Sequence, residues 1–538
     1  MKIASNLKPL LNLDVLLMVM SFSEDTHTIS RLMRASRELY TQGPKYLLRD
    51  AVYLENASHI LSFIAFMLAD HPHRLPLLDS LYIHIGLFSA ADADVLEKFL
   101  IACGPLLGVK RLGIKNAEEF FKSSPGLANA FGLLRHVKHL VVSEVGPRTS
   151  VFLMSLQSTL VSADLEMIPH NDGASSDEND EGDDEDGDEE EEEEDEDERL
   201  RKALTENHRN PILLLHNSQE TLKTLDARSC GTTPDFTRSD QYEECYPTVQ
   251  KLTLTANELP NTLYYARAFP NVHTLTLRID PSQLEILGDD LEDFDNFRES
   301  NMFDFTEYEG PKWTSLKAVH GALTDHFLLG LSCPVEQVHI DGPYMNTMMF
   351  HAVLATTRPK YVYFHAFDVE MFENGEFDEL MSGPLLAPVR CFDIMVAFGG
   401  VILPEQVDVP ASLDALIEGI SNIPSLRSFG LSLGCFGLQP DGELLKDVAN
   451  PAPLCPAEEY ILALDLDALA RRIRAAVPGL QTVTVSLIGH RARRNDLAVL
   501  GDYDAYEVNA VETLPLMHAM RIVAYTLTKN STLALLAS

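Results

Sequence analysis

A chain of 538 residues and 59.9 kDa exceeds one ordinary domain, and its 45% hydrophobic content supplies a sizeable core. Asp and Glu number 81 against 42 Lys and Arg, a formal charge of −39 that weighs against non-specific affinity for nucleic acid or anionic membrane. Seven scattered cysteines with no C-x-x-C pair point to reduced thiols, and to neither a disulfide framework nor a zinc site.

Residues 1–50 read as a short helical domain. Leu13, Leu16, Leu17 and Met20 recur at helical spacing, as do Ile29, Leu32, Met33 and Ser36. Asp14 is expected to cap the first helix and Thr28 the second, with Gly43-Pro44 closing the second segment. So small a unit cannot bury its apolar faces alone. Lys2 and Lys8 precede apolar Leu10–Met20, but Asn12 and Asp14 interrupt that run and no small-residue cleavage site follows, so no signal peptide is expected. The other long apolar stretch, Ile60–Ala69, is too short to span a bilayer. A cytoplasmic or nuclear location is the expectation, with neither membrane nor nucleic acid as partner.

Residues 51–168 and 204–538 repeat one phrase: an apolar residue, another three places on, and a third two places later. It occurs as Leu78-Leu81-Ile83, Val109-Leu112-Ile114, Val137-Leu140-Val142, Leu222-Leu225-Ala227 and Val249-Leu252-Leu254. Further copies are Val272-Leu275-Leu277, Val335-Val338-Ile340, Val389-Phe392-Ile394, Leu426-Phe429-Leu431 and Leu480-Val483-Val485. The last two residues of each copy alternate as in a half-buried strand, so Leu252 should point inward and Lys251 and Thr253 outward. Preceding stretches such as Ala91–Ala102 and Ala457–Ala476 read as helices, while Pro281–Gly310 and Leu438–Pro456 read as inserted loops. Residues 169–203 are a low-complexity acidic insert, with 19 acids in the 22 positions from Asp177 to Glu198 and no aromatic residue. Disorder is expected there.

Spacings of 31, 28, 27 and 23 residues between copies lie near the period of leucine-rich repeats. Val249-Gln250-Lys251-Leu252-Thr253-Leu254-Thr255-Ala256-Asn257 resembles the L-x-x-L-x-L-x-x-N phrase of that family, and Leu222 to Cys230 ends in its alternative cysteine. The implied architecture is α/β: an irregular solenoid with parallel strands, interrupted by the acidic insert. Leu11-Asn12-Leu13-Asp14-Val15-Leu16-Leu17-Met18-Val19-Met20-Ser21-Phe22 resembles the opening of an F-box, with Asn12 where that family usually has Pro. Thr28-Ile29-Ser30-Arg31-Leu32-Met33-Arg34-Ala35-Ser36-Arg37-Glu38-Leu39-Tyr40 is similar to its second half, with Tyr40 where Trp is frequent.

The resemblance implies an N-terminal helical domain that docks onto a Skp-type adaptor and, through it, a cullin, while the solenoid holds an unknown protein substrate. The adaptor contacts so implied are Leu13, Val15, Leu16, Val19, Met20, Ile29, Leu32 and Tyr40. The alternative is a leucine-rich-repeat scaffold for protein–protein interaction without a ligase, its N-terminal helices capping the solenoid. No G-x-x-x-x-G-K-[ST], H-E-x-x-H or G-x-G-x-x-G phrase is present, and the acidic run only approximates a calcium loop. No enzyme activity, cofactor or metal is therefore expected. Asp465 and Asp467 read as lying in one helix on different faces.

Overall fold

The computed structural model describes residues 12–23, 25–168, 209–231, 244–288, 290–342, 345–373, 375–398, 406–435, 438 and 453–501. The expected acidic insert, 169–203, lies outside them, as does most of the expected loop 438–456. The chain forms two compact units, Met1–Glu258 with Arg267–Asn271, and Leu259–Ala266 with Val272–Ser538. The fold is mixed α/β and repeat-like. No described helix is long and apolar enough to cross a membrane.

The first unit opens with four helices, α1 (Leu13–Phe22), α2 (Thr26–Met33), α3 (Arg37–Gln42) and α4 (Pro44–Leu47). Among the described residues seven strands follow: β1 (Val52–Leu54), β2 (Ser80–Ile83), β3 (Arg111–Ile114), β4 (His139–Val145), β5 (Ser162–Met167), β6 (Thr224–Cys230) and β7 (Lys251–Ala256). Each pairs in parallel with the next in chain order. Parallel neighbours require a crossover, which helices such as Ala57–Leu68 and Ala90–Cys103 supply. The register carries the repeated phrase across the sheet. Leu81, Leu112, Leu140, Ala163, Leu225 and Leu252 are successive partners, and so are Ile83, Ile114, Val142, Leu165, Ala227 and Leu254. The leading residues Leu78, Val109, Val137, Leu160, Leu222 and Val249 are buried as well.

The second unit repeats the plan with β8 (Thr274–Ile279), β9 (Leu316–Ala322), β10 (Val335–Asp341), β11 (Tyr361–Asp368), β12 (Cys391–Ala397), β13 (Ser428–Gly434), β14 (Thr482–Ile488) and β15 (Asp496–Leu500). Pairing is parallel and sequential as far as β14, and β15 then turns back antiparallel. Leu275, Val319, Val338, Val362, Phe392, Phe429 and Val483 form one continuous buried row. Helix Thr347–Thr357 packs on the neighbouring rung, with the Phe350 ring 5.5 Å from that of Phe364, which is in turn 5.4 Å from Phe392. Leu252, Leu275 and Val483 are all buried, while Thr253, Thr276 and Thr484 alternate with them on the opposite face. The expected phase holds in both units.

Several local expectations are corrected. Pro281–Gly310 is not a loop, because it contains the 17-residue helix Leu291–Glu307. Asp290 caps that helix, Phe305 is buried against Trp313, and buried Asn301 donates to the carbonyls of Pro260 and Leu328. A polar side chain occupies the core position where an apolar period would have revealed the helix. The α1 cap is Asn12, whose side chain accepts the Asp14 N–H, and the α2 cap is Asp25, which accepts from His27 and Thr28. Asp14 and Thr28 lie one to three residues inside their helices, where shorter-range side-chain oxygens at the preceding turn reach the free N–H groups first. Ala457–Ala476 breaks into Pro456–Ala463 and Leu466–Ala476, with Asp465 as the second cap rather than a mid-helix residue. Strands β1, β5, β9, β11 and β15 escape the phrase. In β5 and β9 the buried positions include Ala163 and Gly321, and Pro359 precedes β11 in place of an apolar residue.

Candidate functional site

Helix α1 is apolar on nearly every side, and the fold divides its residues in two. Met20 joins Ile29 and Met33 of α2 and Leu39 of α3 in a buried cluster. Leu13, Leu16, Leu17 and Leu32 pack against it half-buried, together with Tyr46, Leu47 and Phe66. Arg49 anchors the end of α1 by donating from Nη1 to the Ser21 carbonyl at 2.7 Å. The other side of α1 is left bare. Val15 is 44% exposed, Met18 58%, Val19 46% and Phe22 80%. These four stand at i, i+3, i+4 and i+7, which makes them one continuous stripe along the helix.

Of the eight residues the sequence singles out, Met20 and Ile29 are internal and hold the helices together, and Leu13, Leu16 and Leu32 support them. Val15 and Val19 belong to the outward stripe. Tyr40 faces outward too, but its ring is already engaged. Buried Arg74 lies with its guanidinium 4.8 Å from the Tyr40 ring and 4.2 Å from that of Phe66, and donates to the Phe66 carbonyl at 2.6 Å. This contact ties α3 to the first strand–helix repeat. Met18 and Phe22 were missed, although the signal was present: apolar residues on both sides of α1 mean that one side faces something other than its own core.

No protein-family model matches the chain, and no curated protein matches it.

The sheet faces opposite the buried rows are the second candidate surface. In the first unit, one row across that face reads Tyr53, Tyr82, Gly113, Val141, Asp164, Asp226 and Thr253. The Tyr53 and Tyr82 rings stack at 5.2 Å. Gly113 is required beneath them, because a Cβ there would sit 2.3 Å from Cδ1 of Tyr82. Arg228 bonds Asp164 at 2.6 Å, and a neighbouring row carries Arg111, His139, Ser162, Thr224 and Lys251. In the second unit the equivalent row is Thr276, His320, His339, Tyr363, Asp393, Gly430 and Thr484. The first row combines stacked tyrosines with two aspartates, and the second combines stacked histidine and tyrosine rings with Asp393.

The thiols are poor nucleophiles. Burial pushes Cys333 up to about 11 and Cys435 up to about 12, and raises Cys230 and Cys391 further. At the end of β6 the Cys230 thiol lies 3.6 Å from the carbonyls of Ala227 and Thr255, where it satisfies the backbone as the strand ends. Among the described residues, no group of three or more His, Cys, Asp and Glu is placed to hold a metal ion.

Proposed function

We propose that this chain is a substrate receptor of a Skp–cullin–F-box ubiquitin ligase, docking the adaptor through α1 and a protein substrate through the sheet faces. The observation that carries the reading is the bare stripe Val15, Met18, Val19 and Phe22, held rigid by a separate small core at the head of a repeat-like fold. Its position within the segment that resembles an F-box gives the stripe an occupant. A four-residue apolar stripe on one helix is a small but concentrated patch, of the kind that buries centrally in an interface. The receptor itself performs no chemistry. It raises the effective concentration of a bound substrate near the ligase.

The experiment is co-purification of full-length protein with a Skp-type adaptor and cullin, comparing the parent with the double variant Val19→Asp, Phe22→Asp. Both positions are solvent-facing, so the fold should survive while adaptor capture is lost. Leu16 and Leu32 are unsuitable for this purpose, since they pack on the small core and would report folding. Undiminished adaptor capture by the folded double variant refutes the docking surface. Failure of the parent to capture any adaptor favours the scaffold reading.

A further inference from the structure

In the second unit, four aromatic rings meet on one sheet face. Register places His320, His339 and Tyr363 side by side on β9, β10 and β11. Their rings stack with centroids 4.0 Å and 4.2 Å apart, tilted by 19° and 8°. Two residues further along β11, His365 lies nearly parallel to His339, with ring centroids 5.6 Å apart but His339 Nδ1 only 3.3 Å from His365 Nε2. The two rings therefore meet edge to edge with nitrogens facing. One ring must donate its N–H and the other accept, so the pair holds one proton along this edge, and a second would set two N–H groups head to head. From the opposite face, His326 on helix Leu323–Leu329 bonds through Nε2 to the His339 carbonyl at 2.8 Å. His326 and His339 are both buried.

We propose that this ring column is a proton-operated switch: neutral imidazoles hold β9, β10 and β11 together, and proton uptake on mild acidification parts them. The proposal uses no residue of α1–α4 and stands apart from the adaptor reading. Its surroundings offer the extra charge little relief. Asp341 on β10 pairs in register with His365 but is already engaged by Arg278 of β8 at 3.4 Å. Asp325, beside His326, accepts the N–H groups of Ala322 at 2.8 Å and Ile279 at 3.3 Å. Asp393 on β12 lies beside Tyr363 in register, Lys317 and the Glu336–Lys360 pair sit near the strand starts, and His351 on the neighbouring helix is turned to the Leu380 carbonyl.

Burial, and then the positive charge that His320, His365 and His326 would carry, hold His339 far below the ordinary imidazole value of 6.5. Burial also lowers His365 and His326, although Asp341 pulls His365 back up and the His339 carbonyl, followed by Asp341, does the same for His326. A folded-state value below the open-state one means that this stability is complete above about pH 6.5 and lost as pH falls below it. The ratio of closed to open forms drops by up to about tenfold per pH unit for each imidazole kept neutral. Asp325 works the other way, because burial pushes its carboxyl up to about 7, so the folded form takes that proton first. Comparison of variants that both keep Asp325 cancels its effect.

The test is hydrogen exchange of the full chain at pH 7.5 and 5.5, corrected for intrinsic rates, on the parent and on His339→Phe. Peptides covering β9 to β11 of the parent should open at least tenfold more at pH 5.5, and His339→Phe should lose most of that increase. An unchanged β9–β11 in the parent overturns the switch, as does an equal increase in His339→Phe. If His339→Phe does not fold, His365→Gln replaces the facing nitrogen with a group that takes no proton, and it must flatten the response in the same way.

Discussion

Replacing Leu252 by Ala tests the buried rows where they are best defined. Leu252 has no exposed surface and lies directly opposite Leu225, with Leu254 and Ala227 forming the next rung. Truncation removes three carbons, about 2.4 kcal/mol at roughly 0.8 kcal/mol per buried methylene. The vacated space adds a cavity term that neighbours on a hydrogen-bonded sheet relax only in part, giving about 3–4 kcal/mol in all, within the usual range for such sites. In a unit of this size that corresponds to a fall in Tm of about 6–16 °C. Thr253 stands one residue away, in register with Asp226 on the opposite face, and Thr253→Ala should cost no more than about 0.5 kcal/mol. Calorimetry or urea titration of both variants beside the parent reads the contrast. A Leu252→Ala penalty under 1 kcal/mol, or a larger one for Thr253→Ala, refutes the assignment of the buried face.

Glu458→Gln should cost about 3 kcal/mol in urea titration, because it breaks a buried bidentate pair in which Arg491 donates to both carboxylate oxygens at 2.6 Å and 2.7 Å. Burial raises the Glu458 carboxyl, but Arg491 and the Cys455 N–H overcome this and hold it below the usual 4.5. The stabilisation is thus present above that pH and lost as pH falls through the depressed value, so parent and variant should converge in acid. Gly113→Ala should force the Tyr82 ring off its stack with Tyr53, cost about 1–3 kcal/mol and alter the near-ultraviolet circular dichroism of tyrosine. Adding Tyr82→Ala should recover most of that loss, and absence of recovery would place the strain in the backbone.

The strands were legible wherever large apolar residues filled all three positions of the phrase, since alternation on a sheet has a fixed period and each rung repeats it. The phrase fell silent in β5 and β9, where Ala163 and Gly321 serve its second and third positions, although it was still read in β6 with Ala227 in third place behind Leu222 and Leu225. Helix Leu291–Glu307 was hidden for a different reason: Asn301 is buried through hydrogen bonds to Pro260 and Leu328, which no periodicity of apolar residues can report. At the candidate site the sequence indicated the right helix but not its two sides. Met20 and Val19 are adjacent and equally apolar, and only the packing of α2 and α3 decides which is core and which faces outward.

Sequential pairing gives the chain an unusual indifference to continuity at one point. Residues 169–208 lie outside the described residues, yet β5 and β6 on either side of them meet in unbroken register over five residue pairs, from Ser162 opposite Thr224 to Glu166 opposite Arg228. Side chains sew the same seam: Asn217 donates to the carbonyls of Met154 and Leu156, Thr221 to that of Leu160, and the Ser218 hydroxyl accepts the Leu160 N–H. A protease cut between Ile168 and Arg209 therefore leaves these β5–β6 contacts in place. The two fragments should migrate as one particle under native conditions and as two bands once denatured, held by a seam that owes nothing to the peptide link across it.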